Sequence, residues 1–442
     1  MTDSKLDLRR HTWLVGMVAG SFAWAGPAQS GTLREDEVVR LALERHPELL
    51  EVEAAVDAQR SALKVASSDL LPVASLGYTL LRNDEETTIP FSVAGSPSAI
   101  TVQPETNARL TFDLTQPIFR GGALLQGRKG ARFNLDAAGE DLSAMRVALE
   151  LRARETVYDL LLAEGRLDIA KENLDQLRES ERVVTRRFEV GAAPRSDLLR
   201  IQASVAEGEQ ALLQAENDLE LGRVRLNNVI SSPLHDAIEI AEDPELPQFD
   251  LTLEVCIDRA LGERPELRAL ALRRDAADAT RRAATGALLP SVSAQFHYER
   301  DSDPGAFAAG DDSWYVAGVA RFDWPIGMGN IGRVQQARAA VRATEHRLDA
   351  TEKRVLLEVE AAYRALEVAQ KGIELSARQF SAAEESFRQT EVRYRNGDAA
   401  QVDFLDAQAR LTGAKVNQLE KRLNLRRAVS RLRAATGEGG PC

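Results

Sequence analysis

Several things are scarce in this chain of 442 residues, and each scarcity closes off a class of protein. There are two cysteines, Cys256 and Cys442, and neither belongs to a CxxC or metal-spaced pattern, so a disulfide framework is excluded. The five histidines are scattered, with no HxxxH pair, so neither a metal site nor any other cofactor is expected. No nucleophile elbow, catalytic triad or carboxylate pair is recognisable, which argues against an enzyme. Only 5% of residues are aromatic while 28% are charged, a balance suited to long solvated helices. Positive charge is in deficit: the net charge of -12 argues against nucleic acid and makes small cations or positively charged solutes the expected visitors. A long hydrophobic run is also missing. The apolar stretch Trp13 to Ala25 falls short of the ~20 residues that a membrane helix needs. It follows Lys5, Arg9 and Arg10 and ends in Ala23-Trp24-Ala25, so residues 1–25 read as an export signal cleaved after Ala25. Any membrane role then rests on β-strands.

What the chain does have is a long internal repeat. His46-Pro47-Glu48-Leu49 recurs 218 residues on as Arg264-Pro265-Glu266-Leu267, and Leu70-Leu71-Pro72 recurs at the same offset as Leu288-Leu289-Pro290. Pro117-Ile118 returns 208 residues on as Pro325-Ile326, and Arg187-Phe188 with Gly191 returns 206 residues on as Arg393-Tyr394 with Gly397. The first repeat covers 33–230 and the second 251–437, joined by a proline-containing linker over 231–250. The fall in offset after Pro72 puts an insertion between Pro72 and Pro117, where a loop would absorb it.

Within each repeat two segments alternate with period two. In the first they are 73–82 and 106–116, where Ala108, Leu110, Phe112 and Leu114 alternate with Asn107, Arg109, Thr111 and Asp113. In the second they are 291–300 and 314–324, with Val292, Ala294, Phe296 and Tyr298 opposite Ser293, Gln295, His297 and Glu299. A soluble sandwich alternates in the same way, but four strands in a chain of this length are few, and Tyr78, Tyr298, Trp314 and Trp324 sit near strand ends as interfacial aromatics do. Four strands cannot close a barrel, and an open edge in lipid leaves backbone groups unpaired, so several subunits must contribute to one barrel. The polar stretches 83–105 and 301–313 read as loops on the outer face, and prolines 72, 117, 290 and 325 lie at the opposite strand ends.

From Gly121 to Val190 and from Gly329 to Arg395 no proline interrupts a helical pattern whose length, about 100 Å, exceeds any compact domain. A heptad seam runs through each, through Leu149, Ala153, Leu160 and Leu167 to Phe188 in the first and Val355, Val359, Leu366 and Ile373 to Tyr394 in the second. Gly191 and Gly397 are the expected left-handed caps, after which a second helix runs back, giving helical hairpins over 121–230 and 329–437.

These landmarks, together with Gln116-Pro117-Ile118-Phe119 and the turn from Tyr394-Arg395-Asn396-Gly397 to Asp403-Phe404-Leu405-Asp406-Ala407, resemble the TolC family of outer-membrane efflux proteins from about Leu33 to Gly437. The resemblance implies a mixed α and β membrane protein in the cell outer membrane: a homotrimeric 12-stranded β-barrel, four strands per subunit, continued by a long periplasmic α-helical barrel. It implies the exit channel of a tripartite efflux pump or type I secretion system, docked to a periplasmic adaptor (membrane fusion) protein and an inner-membrane RND or ABC transporter, with outer-membrane lipid around it. It further implies a periplasmic gate at Asp403, Asp406, Tyr394, Asp197, Ser196 and Arg195. The best-known member has an arginine in the turn where this chain has Ala399, and Arg195 is the nearby substitute. A plainer reading of the three aspartates stands beside this one, since acids at a helix start favour the macrodipole.

Gly327-Met328-Gly329-Asn330-Ile331-Gly332 satisfies GxGxxG, but an alternating strand before it and an overlong helix after it are wrong for a dinucleotide site. The main rival function is a periplasmic coiled-coil adaptor or tether, which would share the export signal and heptads but lack amphipathic strands.

Overall fold

The computed structural model describes residues 32–93, 96–241, 245–247, 249–302, 310–322 and 328–438. The expected export signal over 1–25 lies outside the described residues, as do Trp324, Pro325 and Ile326. In chain order the elements are β1 (Thr32–Leu33), α1 (Glu35–Arg45), α2 (Pro47–Ser68), β2 (Val73–Arg82), β3 (Thr87–Val93), β4 (Ser96–Gln103), β5 (Thr106–Arg120), α3 (Ala123–Glu189) and α4 (Arg195–Val229). The second repeat continues with β6 (Glu239–Ile240), α5 (Leu253–Glu263), α6 (Pro265–Gly286), β7 (Ser291–Asp301), β8 (Asp312–Arg321), α7 (Gly329–Asn396) and α8 (Gln401–Thr436).

One antiparallel sheet, in the order β2-β5-β7-β8, joins the two repeats through β5 and β7. Its register sets Leu76 opposite Phe112, Phe112 opposite Tyr298, and Tyr298 opposite Trp314, so the apolar positions of all four strands share one face. That face is uncovered in a single subunit: Leu76 is 73%, Tyr78 69%, Trp314 68% and Val316 68% exposed. A sheet that shows this much apolar surface on one side and charge on the other fits a boundary between lipid and water. No helix among the described residues is long and apolar enough to cross a membrane.

Two features of this region depart from the expectation. Residues 83–105 are not a plain loop, because β3 and β4 pair there as a separate hairpin. Thr88, Ile89, Ile100, Thr101 and Val102 supply the β-branched side chains that favour extended backbone, and the two prolines, Pro90 and Pro97, are tolerated in a ladder only two strands wide. Pro117 does not end its strand either. The β5–β7 register shifts between Pro117 and Phe119, so the missing N–H is absorbed in a β-bulge and pairing continues to Arg120.

The long helices have 67 and 68 residues, about 100 Å each, while their return helices have 35 and 36. Each hairpin is therefore uneven, with α4 and α8 covering only the distal half of their partners. The proximal half of α3 packs instead on α2 and α6, each 22 residues long, and α6 also packs on α7. Every expected seam residue of α7 is at least half-buried, from Val355 and Val359 to Tyr394. Close approach is helped by absent side chains: a Cβ on Gly208 or Gly222 would stand 3.1 Å from a leucine of α3.

Around the middle of the helices a band of short elements ties the chain together. β1 pairs in parallel with β6, fastening the start of the first repeat to the linker. Next to it Arg154 of α3 bonds Glu150 at 3.1 Å and Asp36 at 3.3 Å and also pairs with Glu35. Burial opposes the charge on Arg154, yet the Glu35 and Glu150 carboxylates hold the guanidinium above its usual range. Tyr158 donates to Glu35 at 2.8 Å and meets the Ser430 hydroxyl at 3.1 Å, and burial, aided by the Glu35 carboxylate, pushes its phenol up to about 12. From there to the tip, α3 and α8 are bridged by Glu155–Arg431, Asp159–Arg427 and Glu172–Lys415.

At the strand-to-helix junction two glycines face each other. A Cβ on Gly286 would lie 2.1 Å from the Gly121 carbonyl, and one on Gly121 would lie 1.8 Å from the Gly286 carbonyl. Backbone cannot retreat as a flexible side chain does, so Gly286→Ala is expected to destabilise the protein by about 1–3 kcal/mol. Gly139→Ala, on α3 with nothing within 4 Å, is expected to be neutral or to stabilise by up to ~1 kcal/mol through helix propensity. Denaturant unfolding followed by helical circular dichroism measures both, and equal effects would contradict the junction contact.

Candidate functional site at the helical tip

Both hairpins turn by the same device. In the first, the left-handed Gly191 (φ 76°) follows α3, with the Gly191 N–H donating to the Phe188 carbonyl at 2.9 Å and the Ala192 N–H to Arg187 at 2.7 Å. In the second, Gly397 (φ 85°) follows α7, with its N–H donating to Tyr394 at 3.1 Å and the Asp398 N–H to Arg393 at 2.8 Å. Only glycine takes this backbone without steric cost, and the two bonds satisfy carbonyls that the helix ends would otherwise leave orphaned.

The structure separates the six expected gate residues into two groups. Tyr394 and Asp197 belong to a clasp between the hairpins. The Tyr394 ring stacks on Phe404 of α8, with centroids 4.9 Å apart and planes at 18°, and Phe387 meets Phe404 at 5.7 Å. From the first repeat, the Arg187 guanidinium sits 5.3 Å over the Tyr394 ring. Burial raises the Tyr394 phenol pKa; the Arg187 cation opposes the rise and the Asp197 carboxylate adds to it. The Tyr394 ring thus carries the Arg187 cation on its face. Leu405 of α8 packs against the apolar cluster of Leu174, Leu177, Val184, Ile201 and Val205 that fills the first hairpin's tip.

Arg195, Ser196, Asp403 and Asp406 form the second group, exposed on the first turns of α4 and α8. Asp403 accepts the Ala400 N–H at 3.3 Å, as an acid at the third position of a helix does, and Asp406 pairs with Arg410 at 3.0 Å. Among the described residues no bond joins Arg195 or Ser196 to either aspartate, and Ala399 is half-buried in the turn. Arg187, which the sequence marks only as the repeat counterpart of Arg393, is part of the clasp. Gln401, which no motif in the sequence singles out, is buried in the first turn of α8, and its side-chain amide finds no hydrogen-bond partner among the described residues. No group of three or more His, Cys, Asp or Glu able to hold a metal ion occurs among the described residues.

A family model described as outer membrane efflux protein matches residues 38–231 and 256–438, one segment in each repeat. The chain is 25% identical over 435 residues to Protein CyaE of Bordetella pertussis, spanning 96% of this chain and 89% of that protein. It is 24% identical over 416 residues to the pyoverdine export outer membrane protein OpmQ of Pseudomonas putida, spanning 91% and 86%. Among solved structures, the CmeC outer membrane channel of Campylobacter jejuni superposes with a TM-score of 0.81 at 18% identity, covering 99% of this chain and 94% of that one. The chain thus belongs to the outer membrane efflux protein family, and its place is the outer membrane, from which its helices reach into the periplasm.

Proposed function

We propose that three copies of this chain form a passive exit duct, serving a tripartite efflux pump or type I secretion system and closed at its periplasmic tip. The observation that carries the reading is the union, in one family-assigned chain, of an open-edged amphipathic sheet with helical hairpins about 100 Å long. Each repeat contributes one strand pair and one hairpin, with the linker at 231–250 between them. Two copies would give eight strands, whose interior side chains fill, whereas three give twelve and leave a lumen. A duct does no work on its cargo, so the driving energy comes from an inner-membrane transporter of the RND or ABC class, reached through a periplasmic adaptor. The name of OpmQ states export, which supports this assignment of direction. The rival reading, a periplasmic adaptor or tether, leaves the membrane sheet without a use and does not fit the family.

The tip is the gate of this duct. The Arg187–Tyr394 contact, with Asp197 beside it, holds the two hairpins of one subunit together, and outward movement of α7 and α8 would break it. Asp403 and Asp406, exposed near the turn, form rings of negative charge when copies assemble around the axis, and Arg195 and Ser196 on the neighbouring hairpin complete the rim.

Two measurements in planar lipid bilayers test the gate. Asp403→Ala combined with Asp406→Ala should abolish channel block by multivalent cations, and unchanged block would remove the aspartates from the pore. Arg187→Ala, which loses a half-buried cation–π contact worth about 0.5–2 kcal/mol, should raise the open-to-closed ratio by roughly two- to thirtyfold. Tyr394→Phe keeps the ring and should behave as wild type, whereas Tyr394→Ala should resemble Arg187→Ala.

A further inference from the structure

The polar face of the membrane sheet carries more than scattered hydrophilic residues. The ladder sets Asp113 opposite His297 and Arg109 opposite Asp301 across β5 and β7, and His297 opposite Tyr315 across β7 and β8. His297 Nδ1 lies 2.6 Å from the Asp113 carboxylate, and its Nε2 lies 3.8 Å from that of Glu299. Arg109 bridges Glu299 at 3.6 Å and Asp301 at 3.1 Å, and the Tyr315 ring lies 5.0 Å from the imidazole. The opposite face of the same strands carries Phe112, Phe296 and Trp314 in ring contact, with Phe112 to Phe296 at 6.2 Å and Phe296 to Trp314 at 6.5 Å. Hydrocarbon tolerates the aromatic face and not the charged one, so in a closed barrel this cluster lines the lumen.

Its charge is unbalanced and adjustable. One arginine against three carboxylates leaves -2 per subunit with His297 neutral and -1 with His297 protonated. The groups facing the imidazole are Asp113 on β5, Tyr315 on β8 and Glu299 on its own strand, with Arg109 behind Glu299. Histidine is the side-chain type whose charge ordinarily changes between pH 5 and 8. Of the chain's five histidines it is the one in this sheet: His46, His235 and His346 lie elsewhere, and His11 is outside the described residues. Copies arranged around an axis repeat the cluster at one depth, and low-dielectric walls focus its field across the lumen.

We infer that Asp113, His297 and Glu299, with Arg109 and Asp301, form a charge-selective ring inside the membrane barrel that favours cationic solutes and whose strength is set by the charge on His297. The inference rests on the barrel reading and is independent of the gate at the tip, some 100 Å away along the helices.

The test is the reversal potential of single channels under a KCl gradient, using the full chain with Asp403→Ala and Asp406→Ala so that tip carboxylates do not set the selectivity. On acidification from pH 8 to pH 5.5 the K⁺-to-Cl⁻ permeability ratio should fall roughly twofold or more. In this background His297→Gln, or His297→Asn as a second neutral variant, should remove that fall and keep the pH 8 ratio at both values. The paired substitutions Asp113→Asn and Glu299→Gln should lower the ratio at pH 8. A fall that persists without His297, or a pH 8 ratio indifferent to Asp113 and Glu299, overturns the ring while leaving the barrel standing. Failure of the parent protein to form any channel overturns both.

Discussion

An unpaired backbone amide or carbonyl costs several kcal/mol in hydrocarbon, and the whole molecule is arranged around that penalty. The sheet ends at β2 on one side and β8 on the other, and among the described residues neither edge has a partner within the subunit. In water such edges would invite aggregation; in a bilayer they demand closure. Neighbouring copies supply it, and closure then creates everything the function needs: a lumen, an apolar belt outside it, and a charged surface within. The alternation of Leu110, Phe112 and Leu114 with Arg109, Thr111 and Asp113 is thus the record of a wall with lipid on one side and water on the other.

Closure at one end sets conditions along the rest of the chain. Strand pairs from two repeats must enter one sheet, so the helices that leave it begin side by side, and the contact of Gly121 with Gly286 marks how tightly the junction is packed. Over the following 100 Å or so no single hairpin fills the wall. The short helices α2 and α6 cover the proximal half of α3, and α4 and α8 cover the distal half. Where the coverage changes, the Arg154, Glu35 and Tyr158 network joins α1, α3 and α8. At the far end the hairpins have only each other, and there the first repeat's Arg187 meets the second repeat's Tyr394.

Much of this was legible in the residues because it follows from periodicity. A seam such as Val355, Val359 and Leu366 is dictated by burial against one partner, and period-two alternation by two solvents of opposite character. Gly191 and Gly397 were legible for the same local reason, a left-handed turn that few other residues adopt. What escaped depends on register or on distant contact. The β3–β4 hairpin hid in a stretch rich in threonine, serine and proline, and the bulge at Pro117 resembled a strand end. The pairing of Asp113 with His297 joins residues 184 apart in sequence and exists only once β5 and β7 are aligned. At the tip, motif resemblance names Tyr394 and the aspartates as expected gate residues, while the cation over the tyrosine comes from the other repeat, and no local pattern announces it.

The central claim is that open sheet edges force a fixed number of copies into one barrel. Native mass spectrometry of the protein extracted from outer membranes in mild detergent measures that number directly. The account predicts a single species of three mature subunits that heating converts to monomer. A stable monomer recovered from the membrane, with β2 and β8 unpaired, would contradict it.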